Sequence, residues 1–299
     1  MVPGVRAALM TIGRRDMKPG IYEDLSMEDY HADEAISKST LVDFYNAPSP
    51  WHYLSRKPNE GAQFDMGSMV HAAILEHDKY QDMIAVPPPE VLAKNGARSG
   101  NAWYLWKEDQ EKAGRTILTR DQKRDLDYAI EQLFSPQNTE SAELLTGGLS
   151  ECSFFFKSPI TGHMAKCRPD HLPGNEIIVD LKTTSLPAMS KDFERQFVKL
   201  KYIWSVIWTC RGISAVTGVA HDDYRFVVVE LNEPYGVVVY KVDQRDISLE
   251  SVRLDMVERR LVECIKSNNW PGYPEGIQTI LLPSWERVQI EKEIGGSYE

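Results

Sequence analysis

Asp170, Asp180 and Lys182 are the residues in this sequence whose types and spacing could do chemistry. Asp170 falls in A-K-C-R-P-D-H-L (Ala165–Leu172), and Asp180 and Lys182 fall in I-I-V-D-L-K-T-T (Ile177–Thr184). Both segments read as β-strands, joined by a turn at Pro173-Gly174-Asn175. Alternation along a strand sends Ile178, Asp180 and Lys182 to one face, and Val179 and Leu181 to the other. An acid and a lysine near the end of a buried strand are costly unless something pairs or uses them. Asp170 reaches the same place from the neighbouring strand. Two carboxylates and an ammonium on rigid strands would hold a hard cation with a cationic helper beside it.

Hydrolysis of a phosphodiester is a reaction that wants this set. Water needs activation at neutral pH and the phosphate needs its developing charge absorbed, and carboxylate-held Mg²⁺ does both. The lysine can orient the attacking water or stabilise the transition state. The backbone carbonyl of Leu181 lies between the two functional side chains and offers another hard oxygen. The alternative for the same spacing is an Asp–Lys cross-strand or diagonal salt bridge.

The elements that position these residues follow from local patterning. Ser26 and Ser37 or Ser39 can cap two short helices, the second carrying Leu41, Phe44 and Tyr45. F-D-M-G-S-M-V-H-A-A-I-L-E (Phe64–Glu76) has helical spacing, with Gly67 one turn before His71 on the same face. Thr119 caps another helix through Phe134, and no strand is expected before Gly147. Then E-C-S-F-F-F-K (Glu151–Lys157) opens a β-rich region. A single long helix is expected over 190–212, with a core stripe of Phe193, Phe197, Leu200, Trp204 and Ile207. A hairpin over 224–242 and an amphipathic helix from Ile247 to Ser267 follow. The order implies a mixed α/β fold around one sheet. Four parts are expected: a disordered leader at 1–20 with Met17 as an alternative start, a helical lobe at 21–146, a core at 147–270, and a surface-wrapping tail at 271–299.

Composition narrows the class. The 299 residues are 42% hydrophobic and 26% charged, ordinary for a soluble globular protein. No apolar run approaches the ~20 residues of a membrane helix. Four scattered cysteines, Cys152, Cys167, Cys210 and Cys264, form no C-x-x-C pair, which argues against a zinc or iron–sulfur site and suits a reducing cytoplasm. The net charge of −10 does not advertise a nucleic-acid binder, although local patches decide that. The basic stretches are Lys94 to Arg124, and Lys191, Arg195, Lys199 and Lys201; solvated helix faces are the plain reading of both.

Several further pieces occur in a fixed order: Y-H-A-D-E-A-I-S-K-S-T-L (Tyr30–Leu41), G-S-M-V-H-A-A-I-L-E (Gly67–Glu76), Asn101-Ala102-Trp103, S-E-C-S-F-F-F (Ser150–Phe156), C-R-P-D (Cys167–Asp170), D-L-K-T-T (Asp180–Thr184) and L-P-S-W (Leu282–Trp285). With them the chain, from about Gly20 to Trp285, resembles the C-terminal nuclease domain of RecE-type exonucleases (exodeoxyribonuclease VIII). That group lies within the PD-(D/E)xK superfamily, whose fold is a restriction-endonuclease-like mixed central sheet flanked by helices.

The resemblance implies roles. Gly67 and His71 match the G-x-x-x-H helix whose histidine joins the metal site. Asp170 and Asp180 match the metal-binding acids, Leu181 lends its carbonyl, and Lys182 matches the catalytic lysine. Glu151 matches an acidic position that binds metal or an inner water, with a solvated strand start as its alternative. Arg168, Thr183, Thr184, Tyr202 and Ser205 are the candidates for substrate contact. One departure stands out. The family's Q-x-x-x-Y helix reads here with Ser205 at the glutamine position and Thr209 at the tyrosine position, while the preceding Tyr202 is kept.

The implied protein is a Mg²⁺-dependent (Mn²⁺ as substitute) 5′-to-3′ double-stranded DNA exonuclease of phage or prophage type. It would resect linear ends for single-strand annealing recombination with a RecT-like partner. It would work in the cytoplasm as a ring-shaped homo-oligomer such as a tetramer, without a membrane. Other nucleases of the superfamily (RecB- or Cas4-like, or an endonuclease) and a weakened fold kept for DNA or partner binding are the alternatives.

Overall fold

The computed structural model describes residues 17–56, 66–174 and 176–295; the expectations for the leader up to residue 16 and for the turn residue Asn175 lie outside these. The centre of the fold is the pair of strands Ile177–Thr184 and Asp223–Glu230, which run parallel with Ile177 opposite Asp223 and Thr184 opposite Glu230. Val/Ile/Phe-rich runs of this kind suit a strand covered on both faces. A parallel pair needs a long crossover, and residues 185–222 supply one with two helices.

Antiparallel strands Val237–Tyr240, on one side, and His171–Leu172 and Leu149–Ser150, on the other, complete a five-stranded sheet. Gly20–Tyr22, Ser153–Lys157 and Met164–Cys167 form a separate three-stranded antiparallel sheet. The mixed α/β architecture expected from the sequence is therefore present, but its strands are divided between sheets. The helical lobe also carries strands, because Gly20–Tyr22 pairs with Ser153–Lys157, and Ile84–Ala85 pairs with Thr116–Ile117.

Side-chain alternation divides the core. Ile178, Tyr224, Phe226 and Val228 face a cluster built with Leu41, Trp204, Trp208 and Leu261. Val179, Leu181, Val227 and Val229 face a second one, with Val70, Leu118, Leu126 and Leu133. The helix Met66–Leu75, which carries His71, belongs to the second cluster. The helix Lys38–Asn46, capped by Ser37 through a reciprocal Ser37–Thr40 box, belongs to the first.

Two expectations fail locally. The helix foreseen over 190–212 is broken into Lys191–Lys199 and Tyr202–Thr217. Lys201 sits at φ 54°, in the left-handed region, so the ladder cannot pass through it. The break turns the stripe: Phe193, Trp204 and Ile207 are buried, but Leu200 is exposed. The described part of the tail is exposed beyond its first residues instead of wrapping the surface. After Trp270 stacks on Tyr53 and Tyr273 meets His52, an arm leads to the helix Ser284–Gly295, and Ile277, Ile280, Leu281 and Trp285 are all exposed.

Candidate active site

The ladder between Leu149–Ser150 and His171–Leu172 brings the acids together. Ser150 pairs with His171, and just beyond this pair the Glu151 amide donates to the Asp170 carbonyl at 3.0 Å. Asp170 itself lies in the gap between Met164–Cys167 and His171–Leu172 rather than within a strand. Glu151 has φ 55°, a left-handed kink between two strands and not the plain strand start foreseen as its alternative.

His171 Nδ1 bonds Ser150 Oγ at 2.8 Å, and its ring is buried. His171 thus serves the ladder, leaving its neighbour Asp170 to face the site. Asp170 Oδ2 accepts the Leu181 amide at 2.7 Å and lies 3.7 Å from His71 Nδ1 and 3.9 Å from Lys182 Nζ. His71, from the helix on the Val179/Leu181 face, and Lys182, from the opposite face, are thereby joined through one carboxylate.

Asp180 and Lys182 leave the same face of their strand, as alternation requires, and their charged ends are hydrogen-bonded. The other Asp180 oxygen, Oδ2, accepts the Tyr224 hydroxyl at 2.6 Å. Lys182 Nζ also reaches the Leu181 carbonyl at 3.3 Å and lies 5.4 Å from the centre of the Tyr202 ring. The spacing D-x-K thus makes both a salt bridge and part of a larger site, so the two readings of the sequence pattern are not exclusive.

Burial, and after it the crowding of charges, sets the electrostatics. Burial, then the neighbouring Asp170 carboxylate, pushes Glu151 up to about 7. Asp170 is raised mainly by burial, against the opposing pull of Lys182. Burial works against the Lys182 ammonium, but Asp180 and Asp170 outweigh it and hold Lys182 above the usual lysine range. Tyr224 is raised by burial and by Asp180, so it remains a donor.

The donor set tests whether a cation fits. His71, Glu151 and Asp170 each present a ligand atom, all within 4.8 Å of one another. One imidazole nitrogen and two carboxylates suit a divalent cation, and such a charge would offset the burial and carboxylate repulsion that raise both acids. Asp180, expected as a ligand, stands beside this trio, and each of its oxygens accepts one hydrogen bond, from Lys182 and from Tyr224. The Leu181 carbonyl, also expected as a ligand, accepts from Lys182.

The remaining candidates divide. Tyr202 is at the site, and Ser205 follows it one turn along the same helix, half-buried. Thr183 alternates to the face away from Lys182. The Thr184 hydroxyl accepts the Leu186 amide at 3.0 Å and so shapes the turn after the strand. Arg168 is engaged elsewhere: Nε donates to Ser153 Oγ at 2.8 Å, Nη2 to the Leu25 carbonyl, and the guanidinium lies 4.8 Å from the Tyr30 ring centre. The basic stretches carry ion pairs such as Lys112–Glu108, Lys123–Asp127 and Arg195–Asp192, as solvated helix faces do. Tyr224 was not foreseen, because it joins the site only through the register that sets it opposite Ile178.

A sequence model of the family described as "PDDEXK-like domain of unknown function" matches residues 37–283. The chain belongs to that family. His71, Glu151, Asp170, Asp180, Lys182 and Tyr224 all lie inside the matched span. A solved structure from Eubacterium rectale, described as a candidate exonuclease, is similar at 14% identity and a TM-score of 0.46, covering 84% of this chain and 96% of that one. No curated protein matches the chain. No described helix is long and apolar enough to cross a membrane.

Proposed function

We propose that the chain is a divalent-metal-dependent deoxyribonuclease of the RecE type, cleaving duplex DNA from its ends in the 5′-to-3′ direction. The observation that carries the reading is the convergence of His71, Glu151 and Asp170 within 4.8 Å, directly beside the Asp180–Lys182 pair. His71, Glu151 and Asp170 would hold the cation, Mg²⁺ by preference and Mn²⁺ as a substitute. When bound, the cation supplies Lewis-acid activation of water and charge stabilisation on the phosphate.

The protein's own groups do the rest. Tyr224 fixes one Asp180 oxygen, and the other oxygen holds the Lys182 ammonium in place. Lys182, kept protonated by the two aspartates, is a donor for the non-bridging phosphate oxygen whose charge grows in the transition state. The Leu181 amide orients the Asp170 carboxylate.

The preference for duplex ends, a role in single-strand annealing with a RecT-like partner, action in the cytoplasm and a ring-shaped homo-oligomer belong to the same proposal, supported by the resemblance of the ordered motifs. The exposed apolar arm after Tyr273 adds support for self-association. Time-resolved digestion of linear duplex labelled at the 5′ or the 3′ end, beside closed circular DNA, tests the proposal. Early release of the 5′ label with intact circles is expected. Cutting of circles would replace it with an endonuclease reading.

A further inference from the structure

Lys38 opens the helix Lys38–Asn46, and its ammonium donates to the Leu200 carbonyl at 3.1 Å. Leu200 caps the helix Lys191–Lys199, so this carbonyl sits at the negative end of a helix dipole. Lys38 Nζ also lies 5.8 Å from the centre of the Tyr202 ring, the ring that Lys182 Nζ approaches at 5.4 Å. The two ammonium groups therefore converge on one aromatic side chain and are separated by no more than about 11 Å. They come from elements far apart in sequence, joined by the break at Lys201 that brings the Leu200 carbonyl and the Tyr202 ring together.

Lys182 has two carboxylate partners. Lys38 has none within ion-pair distance among the described residues; its contacts are a carbonyl and a ring face. Burial, then repulsion from Lys182, pushes it down to about 8. Asp180 and Asp43 pull the other way from beyond ion-pair distance, and the remaining cost of a half-buried cation beside a second one falls when an anion reaches it. The helix dipole at the Leu200 carbonyl favours the charge there, but a dipole and a ring face are weaker partners for an ammonium than a carboxylate or a phosphate. What recurs beside Lys182 in the proposed reaction is a chain of phosphates, spaced ~3.4 Å per nucleotide along each strand axis.

We propose that Lys38 is a substrate-binding residue that contacts a backbone phosphate of the DNA strand lying at Lys182, with the Tyr202 ring, which both cations approach, as the floor of the phosphate track. The proposal rests on the nuclease reading and adds to it a contact absent from the acid–lysine pattern. It also assigns a task to the retained Tyr202, which is to seat both ammonium groups.

The test is binding of a labelled duplex oligonucleotide in chelator, followed by anisotropy across a salt series, so that no turnover enters the readout. Lys38→Gln keeps a donor for Leu200 without the charge, and Lys38→Arg keeps the charge. Loss of one phosphate contact is expected to weaken binding several-fold and to lower the log–log salt slope by about one. Lys38→Arg should retain the wild-type slope. If Lys38→Gln lowers the melting temperature but leaves affinity and slope unchanged, Lys38 is only a tie between helices and the proposal fails. If the wild-type protein neither binds duplex in chelator nor digests it with Mg²⁺, the nuclease reading falls and takes this proposal with it, whereas normal digestion with an unchanged Lys38→Gln slope overturns the Lys38 assignment alone.

Discussion

The Tyr224 hydroxyl donates to Asp180 Oδ2 at 2.6 Å, across the parallel strands at the centre of the sheet. This bond leaves Oδ1 for Lys182 and so fixes the direction in which the ammonium points. Removing it by Tyr224→Phe should lower kcat by about ten- to a hundredfold, as loss of a partner that orients a site residue commonly does. Stability should fall by about 1.5–3 kcal/mol, the cost of removing a hydrogen bond from a buried charged acceptor. Steady-state digestion beside a thermal melt separates the two effects.

Glu151 gives a pH dependence. Its folded pKa of about 7 lies above the ordinary carboxylate value. Without metal, the folded protein binds this proton more tightly than the unfolded chain, so the Glu151 contribution to stability is full at low pH and is lost as pH rises to about 7. A cation competes with the same proton. Mn²⁺ affinity should therefore rise with pH up to about 7 and then level, with proton release on binding below that point. Glu151→Gln should weaken binding and flatten this rise. Calorimetry in buffers of different ionisation enthalpy reads both.

Gly212 marks a tight contact in the core and not in the site. A Cβ there would lie 2.5 Å from Phe156 Cε1 and 2.7 Å from Cys167 Sγ. Gly212→Ala should cost ~1–3 kcal/mol of stability through overpacking. Metal affinity measured well below the melting temperature should stay at the wild-type value.

The C-terminal arm exposes Ile277, Ile280, Leu281 and Trp285 in one run, which a lone protein rarely does. Truncation after Tyr273 should leave the melting transition of the body in place, because that transition depends on the two clusters on either face of the sheet. It should also abolish any self-association seen by sedimentation at rising concentration. A larger assembly that survives the truncation would place the interface elsewhere.

The acid–lysine spacing was legible because alternation in a strand is a local rule, and Asp180 and Lys182 obey it. His71 and Glu151 were legible only through their resemblance to a known pattern of motifs. Tyr224 was not legible at all, since its place depends on a parallel register set across 44 residues. The break at Lys201 was hidden for a related reason. The apolar stripe continues through it, and neither glycine nor proline announces the left-handed turn. Lys38 carried a helix-start signal in its Ser37 cap, but nothing local says that its ammonium meets Leu200 and Tyr202. Arg168 misled in the opposite way, because the contacts to Leu25 and Ser153 that occupy it are long-range.

The cluster around Asp170 and the Asp180–Lys182 pair are proposed to act as one hydrolytic site. Digestion of linear duplex by the wild type, Lys182→Ala and Asp180→Ala, each with Mg²⁺ and with chelator, tests it most directly. Digestion by the wild type in Mg²⁺ alone is expected, with both variants folded by their melting curves and inactive in either condition. Wild-type rates in Lys182→Ala or Asp180→Ala, or undiminished digestion in chelator, would mean that these residues do not form a metal-dependent hydrolytic site.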